Sequence, residues 1–415
     1  MSQLGAIPVT APGWTAKPKN GIAIVDCDVH HNFRNPTQLL PYLSKFYQEH
    51  LLDQGLHLGG YPNIPIRSNR VDLKGRVKTE GQPEDKHTGG DPRDFNFTLE
   101  FLQAEHLDRW NVDVALLTGP PPFYGYSGLP DPDWAAALCR AFNDWTIEHW
   151  LGRDERVLNA ILVSPSDPGQ AVAEINRLAE RKDTAAVMVP MGTSRPFGNR
   201  FYHPIWAACE EHGLPIVSHI GGGGGATRTT PTPVGHPTYY IETRMSRPYV
   251  ASTHATSLIC EGVFEKFPNL KFALIEAQQL WAVSVMWHLD TDWKALRDQT
   301  PWVKRLPSEY FREHIRIGSQ PMHEPEKPEQ LYQMLDMLHA DETLIFCSDF
   351  PHFDWNDPVT VFPKLADDLH HRIFAQNALD LLRMPEYSAQ DCASGTQPQE
   401  SEFFAHDELQ TGCEK

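Results

Sequence analysis

The chain has 415 residues, of which 40% are hydrophobic, 10% aromatic and 22% charged, with a formal net charge of −18. That is enough apolar material for a large core, which excludes wholesale disorder, and the negative charge repels phosphate backbones, which excludes nucleic acid as a natural partner. No stretch approaches the roughly 18 uninterrupted apolar residues of a membrane span, and residues 1–21 are Pro-rich without the compact apolar run of a signal peptide. The expectation is a soluble cytoplasmic protein with no membrane partner. Seven scattered cysteines, odd in number and without a CxxC pair, read as reduced thiols that fill core.

From Ile22 onward, short apolar runs alternate with longer amphipathic ones, the pattern of βα units and a parallel sheet. The first strand is expected at 22–28 (IAIVDCD) and the second at 112–118 (VDVALLT). The connection between them, 31–111, is oversized and Gly/Pro/Asp-rich near GQPEDKHTGGDPRD, so it is expected to lie over the active-site mouth. Then follow a helix at 131–151 capped by Asp131, a strand at 157–164, a helix at 168–182, and a strand at 185–190. A helix at 204–213 ending at Gly213, a strand at 214–220, a helix at 256–267 and strands at 270–277, 315–320 and 343–350 complete the series. Eight strands joined by crossovers predict one (β/α)8 TIM barrel over 22–385. A doubly wound open sheet would place a Gly-rich phosphate loop after the first strand, where this chain has HHNFRNP. Residues 1–21 are then an N-terminal extension. Residues 386–415, with seven acids against one base, form an acidic, flexible tail.

In VDCDVHH, Asp28 and His30 are two apart on a strand and point to the same face, which at the C-terminal end of a barrel strand is the active-site mouth. The fifth strand ends in His219 and runs into Gly221–Gly225, which lets the backbone approach a ligand closely. The eighth ends in Ser348 and Asp349, followed by Pro351 and His352. An unpaired carboxylate at the end of so apolar a strand is costly, and a metal is an economical partner. Two imidazoles and two carboxylates from three strand ends make a donor set for one divalent ion, Zn or Mn, with a coordination position left open.

With these strings in place, the chain resembles the amidohydrolase superfamily, in the amidohydrolase-2 branch related to aminocarboxymuconate-semialdehyde decarboxylase. The resemblance rests on VDCDVHH, SHIGGG, GVFEKFPNLKFALIEAQQLW, CSDFPHFDW and RIFAQNALDLL, and covers roughly 22–385. It implies metal ligation by Asp28, His30, His219 and Asp349, with Asp349 also moving protons, and Asp26 supporting them from behind. Two departures stand out: Asp28-x-His30 where decarboxylase-like members offer His-x-His, which tilts the site towards Mn, and Glu276 where they carry a histidine. Glu276 reads as an acid/base, as a group orienting a ligand, or as a buried acid paired with an arginine. The fourth strand, AAVMVP, has no lysine to bridge two metals, so a mononuclear site is expected.

Further candidates are Arg244 and Arg247, Arg67 and Arg70 as clamps for a substrate carboxylate, His254 as a substrate contact against simple packing, and Trp281 as pocket wall against core. His352 is placed to orient Asp349 or touch substrate. The first functional expectation is a metal-dependent hydrolase of a C–N amide or lactone/ester bond in a small molecule, using metal-activated water. The alternative is a non-oxidative decarboxylase (a carboxy-lyase) of an aromatic or dienoic acid. A barrel that binds a ligand without turnover ranks last, because all four ligands are present. The resemblance also implies a homodimer.

Overall fold

The computed structural model describes residues 23–384 apart from 34, 56–97, 120–128, 130, 222–234, 236 and 353. Arg67 and Arg70, the N-terminal extension, the acidic tail, most of the 31–111 connection and Gly222–Gly225 lie outside the described residues.

Eight parallel strands follow one another in sheet order exactly as in sequence: β1 (Val25–Val29), β2 (Val114–Leu117), β3 (Val157–Leu162), β4 (Thr184–Pro190), β5 (Ile216–His219), β6 (Phe272–Ile275), β7 (Ile315–Gly318) and β8 (Leu344–Ile345). Nearly every strand residue is buried, because side chains on one face fill the barrel and those on the other meet the surrounding helices. The seam between β8 and β1 is closed by Cys27 N–H donating to Phe346 O (3.0 Å), Asp349 N–H to Asp28 O (3.0 Å) and His30 N–H to Phe350 O (2.8 Å). The fold is therefore the expected (β/α)8 barrel.

Helix Pro132–His149 starts where sequence places it, with the Asp131 carboxylate accepting from Asp133 N and Trp134 N, and Asp167 caps Pro168–Leu178 in the same way. Two elements differ from expectation. The helix expected at 256–267 begins earlier and is split into Arg247–Cys260 and Val263–Lys266. The break is at Gly262, whose φ of 69° and contact with the Trp302 ring leave no room for a side chain. Strand β8 is only two residues long because side chains capture the next backbone amides: Ser319 Oγ accepts from Cys347 N (3.0 Å) and Asp26 Oδ1 from Ser348 N (2.9 Å).

The described ends of the 31–111 connection pack against the barrel wall. Leu39 of the helical turn Pro36–Tyr42 is buried, and Tyr42 Oη donates to Glu148 (2.6 Å). The consecutive helical turns Leu99–Trp110 bring buried His106 beneath the seam, where Nε2 lies 2.7 Å from Asp26 Oδ2. Asp26 is thus a structural pin that joins the first strand, the last strand and this helix. Cys27, Cys139, Cys209 and Cys347 are free and buried, and Cys260 is half-buried. No helix among the described residues is long and apolar enough to cross a membrane.

Candidate metal centre

The C-terminal strand ends bring Asp28, His30, His219 and Asp349 together, all buried, with one donor atom from each lying within 4.8 Å of the others. His30 Nε2 is 2.8 Å from Asp349 Oδ1 and 3.4 Å from Asp28 Oδ1, and His219 Nε2 is 3.5 Å from Asp28 Oδ2. Both imidazoles are oriented from behind. His30 Nδ1 meets Gly119 O at 2.5 Å and His219 Nδ1 meets Ile220 O at 2.6 Å. A carbonyl can only accept, so each Nδ1 carries a proton and each Nε2 is left facing the carboxylates, where a metal ion would replace any proton it holds. Gly119 holds its carbonyl there with a φ of 83°, tight against the Phe142 ring.

The carboxylates are equally fixed. Thr118 Oγ1 donates to Asp28 Oδ1 (2.7 Å), and Gln320 Nε2 donates to Asp349 Oδ2 (3.0 Å). Asp349 Oδ1 faces His352 Nδ1 at 2.5 Å, and the His352 ring stacks on His30 with centroids 4.1 Å apart. Asp349 and Glu276 have φ of 64° and 54°, a left-handed backbone that non-glycine residues adopt at a cost and that the surrounding structure must impose.

Electrostatics make the cluster a trap for positive charge. Burial opposes a charged His219, but the Asp28 and Glu276 carboxylates outweigh it and push its pKa up to about 9. Burial would raise the Asp349 pKa, yet His352 and His30 hold it well below the usual carboxylate range, and Asp349 in turn raises that of His352. Two imidazole nitrogens and two carboxylate oxygens fit one Zn or Mn ion. Among the described residues, a second group that overlaps it, Glu276, Asp349 and Asp354, extends the acidic rim.

Glu276 lies 3.3 Å from His219 Nε2 and is also ion-paired with buried Arg247. It is thus a buried acid paired with an arginine, beside the donor atom of His219. Arg244 is ion-paired with Asp354 at the rim. His254 is not brought into the cluster: Nδ1 accepts from Phe197 N (3.1 Å), Nε2 donates to Met191 O (2.8 Å), and the ring stacks on Phe197. Substrate contact through either nitrogen would break a buried backbone bond. Trp281 belongs to the core, with Nε1 donating to Gln278 O (2.9 Å) and its ring packed edge-on against Phe311.

Sequence reasoning passed over Thr118, Gln320, Asp354 and His106. Thr118 and Gln320 had a usable signal, since each is the polar residue that closes an apolar strand segment, VDVALLT and IRIGSQ. His106 had none, because its partner Asp26 is 80 residues away.

Comparison with known proteins agrees with this geometry. An amidohydrolase from Mycobacterium avium subsp. paratuberculosis K-10 superposes with a TM-score of 0.63 at 21% identity, covering 87% of this chain and 98% of its own. A 5-carboxyvanillate decarboxylase from Novosphingobium aromaticivorans DSM 12444, solved with bound manganese, gives 0.60 at 17% identity, covering 88% and 98%. A 2,6-dihydroxybenzoate decarboxylase from Rhizobium gives 0.57 at 17% identity, covering 88% and 99%. Among curated proteins, none matches the chain in sequence. At these identities the solved structures share its fold, and the family model described as amidohydrolase matches residues 27–384, so the chain belongs to the amidohydrolase family.

Proposed function

We propose that this protein is a metal-dependent, non-oxidative decarboxylase of an aromatic or dienoic acid, with one divalent ion held by Asp28, His30, His219 and Asp349. The observation that carries the reading is the state of Asp349: Oδ1 faces both His30 and His352, and Oδ2 accepts from Gln320. A carboxylate so fully engaged is a poor base towards water. His352, hydrogen-bonded to it and with 28% of its side chain exposed, is able to carry a proton between solvent and the mouth.

In decarboxylation the electrons of the breaking C–C bond stay on the ring or diene carbon, CO2 leaves, and that carbon takes up one proton. His352 is the donor we assign, with Asp349 holding the imidazole in place and solvent restoring the proton. A bound divalent ion supplies an electrophile that anchors substrate oxygens and withdraws developing negative charge. Arg244, with 20% side-chain exposure, is better placed than Arg247, with 9%, to meet a substrate carboxylate. The decarboxylases among the similar structures support this choice.

Hydrolysis of an amide, lactone or ester is the second reading, supported by the mycobacterial amidohydrolase and by a donor set that suits water activation. The test is a panel of aryl and dienoic acids, amides, esters and lactones with metal-loaded protein, following substrate mass and released CO2. Loss of CO2 without addition of water is expected, and water addition without CO2 would overturn the proposal in favour of hydrolysis. A homodimer is the assembly we propose, and exposed Tyr239, Ile241, Met245 and Tyr249 are apolar surface suited to burial between two copies.

A further inference from the structure

The opposite pole of the barrel holds a second polar cavity, of about 410 Å³, lined by Lys271, Arg316, Arg372, Asn377 and Asp380 together with residues of helix Pro307–His314 and its flanks. Lys271 immediately precedes β6, Arg316 is the second residue of β7, and Glu342 lies just before β8. These are N-terminal strand ends, so the cavity is a barrel length away from Asp28 and Asp349.

Five basic residues line it against four acidic ones, Glu309 among them, so its charges do not cancel. Arg312 is paired with Glu342 (2.6 Å), Arg305 with Glu313, and Arg372 with Asp380 (3.5 Å). Lys271 and Arg316 have no carboxylate within ion-pair distance among the described residues; burial lowers the pKa of both, and Arg316 lowers that of Lys271 further. Arg316 is 5% exposed, and its Nη1 donates only to backbone carbonyls, those of Arg312 (2.9 Å), Glu313 (3.4 Å) and Ile315 (3.2 Å). Its Nε has no hydrogen-bond partner, nor has buried Asn377 Oδ1. Asp380 and Glu342 act on this guanidinium only from beyond ion-pair distance, and a buried charge without a directly paired partner is costly. Water can satisfy its N–H groups but not its charge.

We infer that this cavity is a binding site for a small oxyanion, a phosphate or carboxylate group, held by Arg316 and Lys271. Planar guanidinium N–H donors match such an oxygen pair, Lys271 adds a point charge, and Asn377 Oδ1 accepts from a protonated oxygen. The oxyanion has two possible sources, a free solute or a carboxylate from the acidic 386–415 segment, which follows the helix Asn377–Leu382 that lines the cavity.

Isothermal titration of the full, metal-loaded chain with inorganic phosphate tests this. Wild type is expected to bind one equivalent saturably, with Lys271→Gln and Arg316→Gln each weakening binding by about tenfold or more. If Arg316→Gln does not fold, Lys271→Gln decides alone. Undiminished binding in the variants would place the anion elsewhere and overturn the assignment. If wild type shows no binding up to about 10 mM, the full chain carrying Glu400→Gln, Glu402→Gln, Asp407→Asn and Glu408→Gln is titrated next. Binding gained there identifies the chain's own carboxylates as the occupant, and no binding in either protein overturns the site.

Discussion

The two ends of the barrel carry opposite charge deficits. At the C-terminal pole, Asp28, Asp349 and Glu276 converge on two imidazoles and one arginine, and the surplus is negative. At the N-terminal pole, three arginine–carboxylate pairs leave Lys271 and Arg316 against Glu309 alone, and the surplus is positive. A parallel barrel aligns all strand directions, so the same βα repeat exposes two chemically independent rims. One fold can therefore seat a cation at one end and an anion at the other, with a packed apolar interior keeping them apart.

The most direct way to break the comparison is His219→Ala. Removal of one of four ligands is expected to take metal content from about one ion per chain to below about a tenth, read by elemental analysis. Phosphate affinity at the other pole stays as in wild type. Metal content equal to wild type would remove His219 from the centre.

Asp349→Asn keeps the size and one oxygen but loses the negative charge that steadies His352. Turnover is expected to fall about 10²-fold or more while part of the metal is retained, as steady-state kinetics beside elemental analysis would show. A near-wild-type rate in the metal-loaded variant would refute the role assigned to this side chain.

Arg247→Met sharpens the account of the acidic pole by stripping buried Glu276 of its counter-charge. Stability in denaturant titration is expected to drop by about 3 kcal/mol, with most of that recovered by adding Glu276→Gln. Equal stability of the single variant and wild type would mean that the pair is not what neutralises Glu276.

The smallest effect concerns His254, which belongs to neither pole's charge balance. Burial lowers its pKa from 6.5 to about 4, so the unfolded chain binds the extra proton first and stability falls as pH drops from about 6.5 towards 4, levelling off below. His254→Gln is expected to flatten that part of the pH–stability curve and to change turnover by less than about threefold. A large loss of turnover with normal stability would restore His254 as a substrate contact.

The barrel was legible because its strands are short apolar runs at regular intervals, and the positions of Asp28, His30, His219 and Asp349 at strand ends followed from the same pattern. What sequence could not give was pairing across distance. Arg247 and Glu276 are 29 residues apart, and Asp26 and Ser348 are 322 apart. Nothing local marks either contact. His254 shows the converse: a polar residue on a helix looks available until both nitrogens are found bound to backbone. Strand β8 was overestimated because its apolar composition says strand, while hydroxyl and carboxylate side chains of β1 and the segment after β7 divert its amides.

The seam pinned by Asp26 has a consequence for how the protein is made. Asp28 and His30 are among the earliest residues of the barrel to leave the ribosome, whereas Asp349 leaves only after β8, when β2 through β7 have already been synthesised. A nascent chain therefore holds two of the four ligands until His219 is made and three until Asp349 is made. An ion held by these four residues would act as a latch on the seam, since the docking of the last strand on the first is what completes the ligand set.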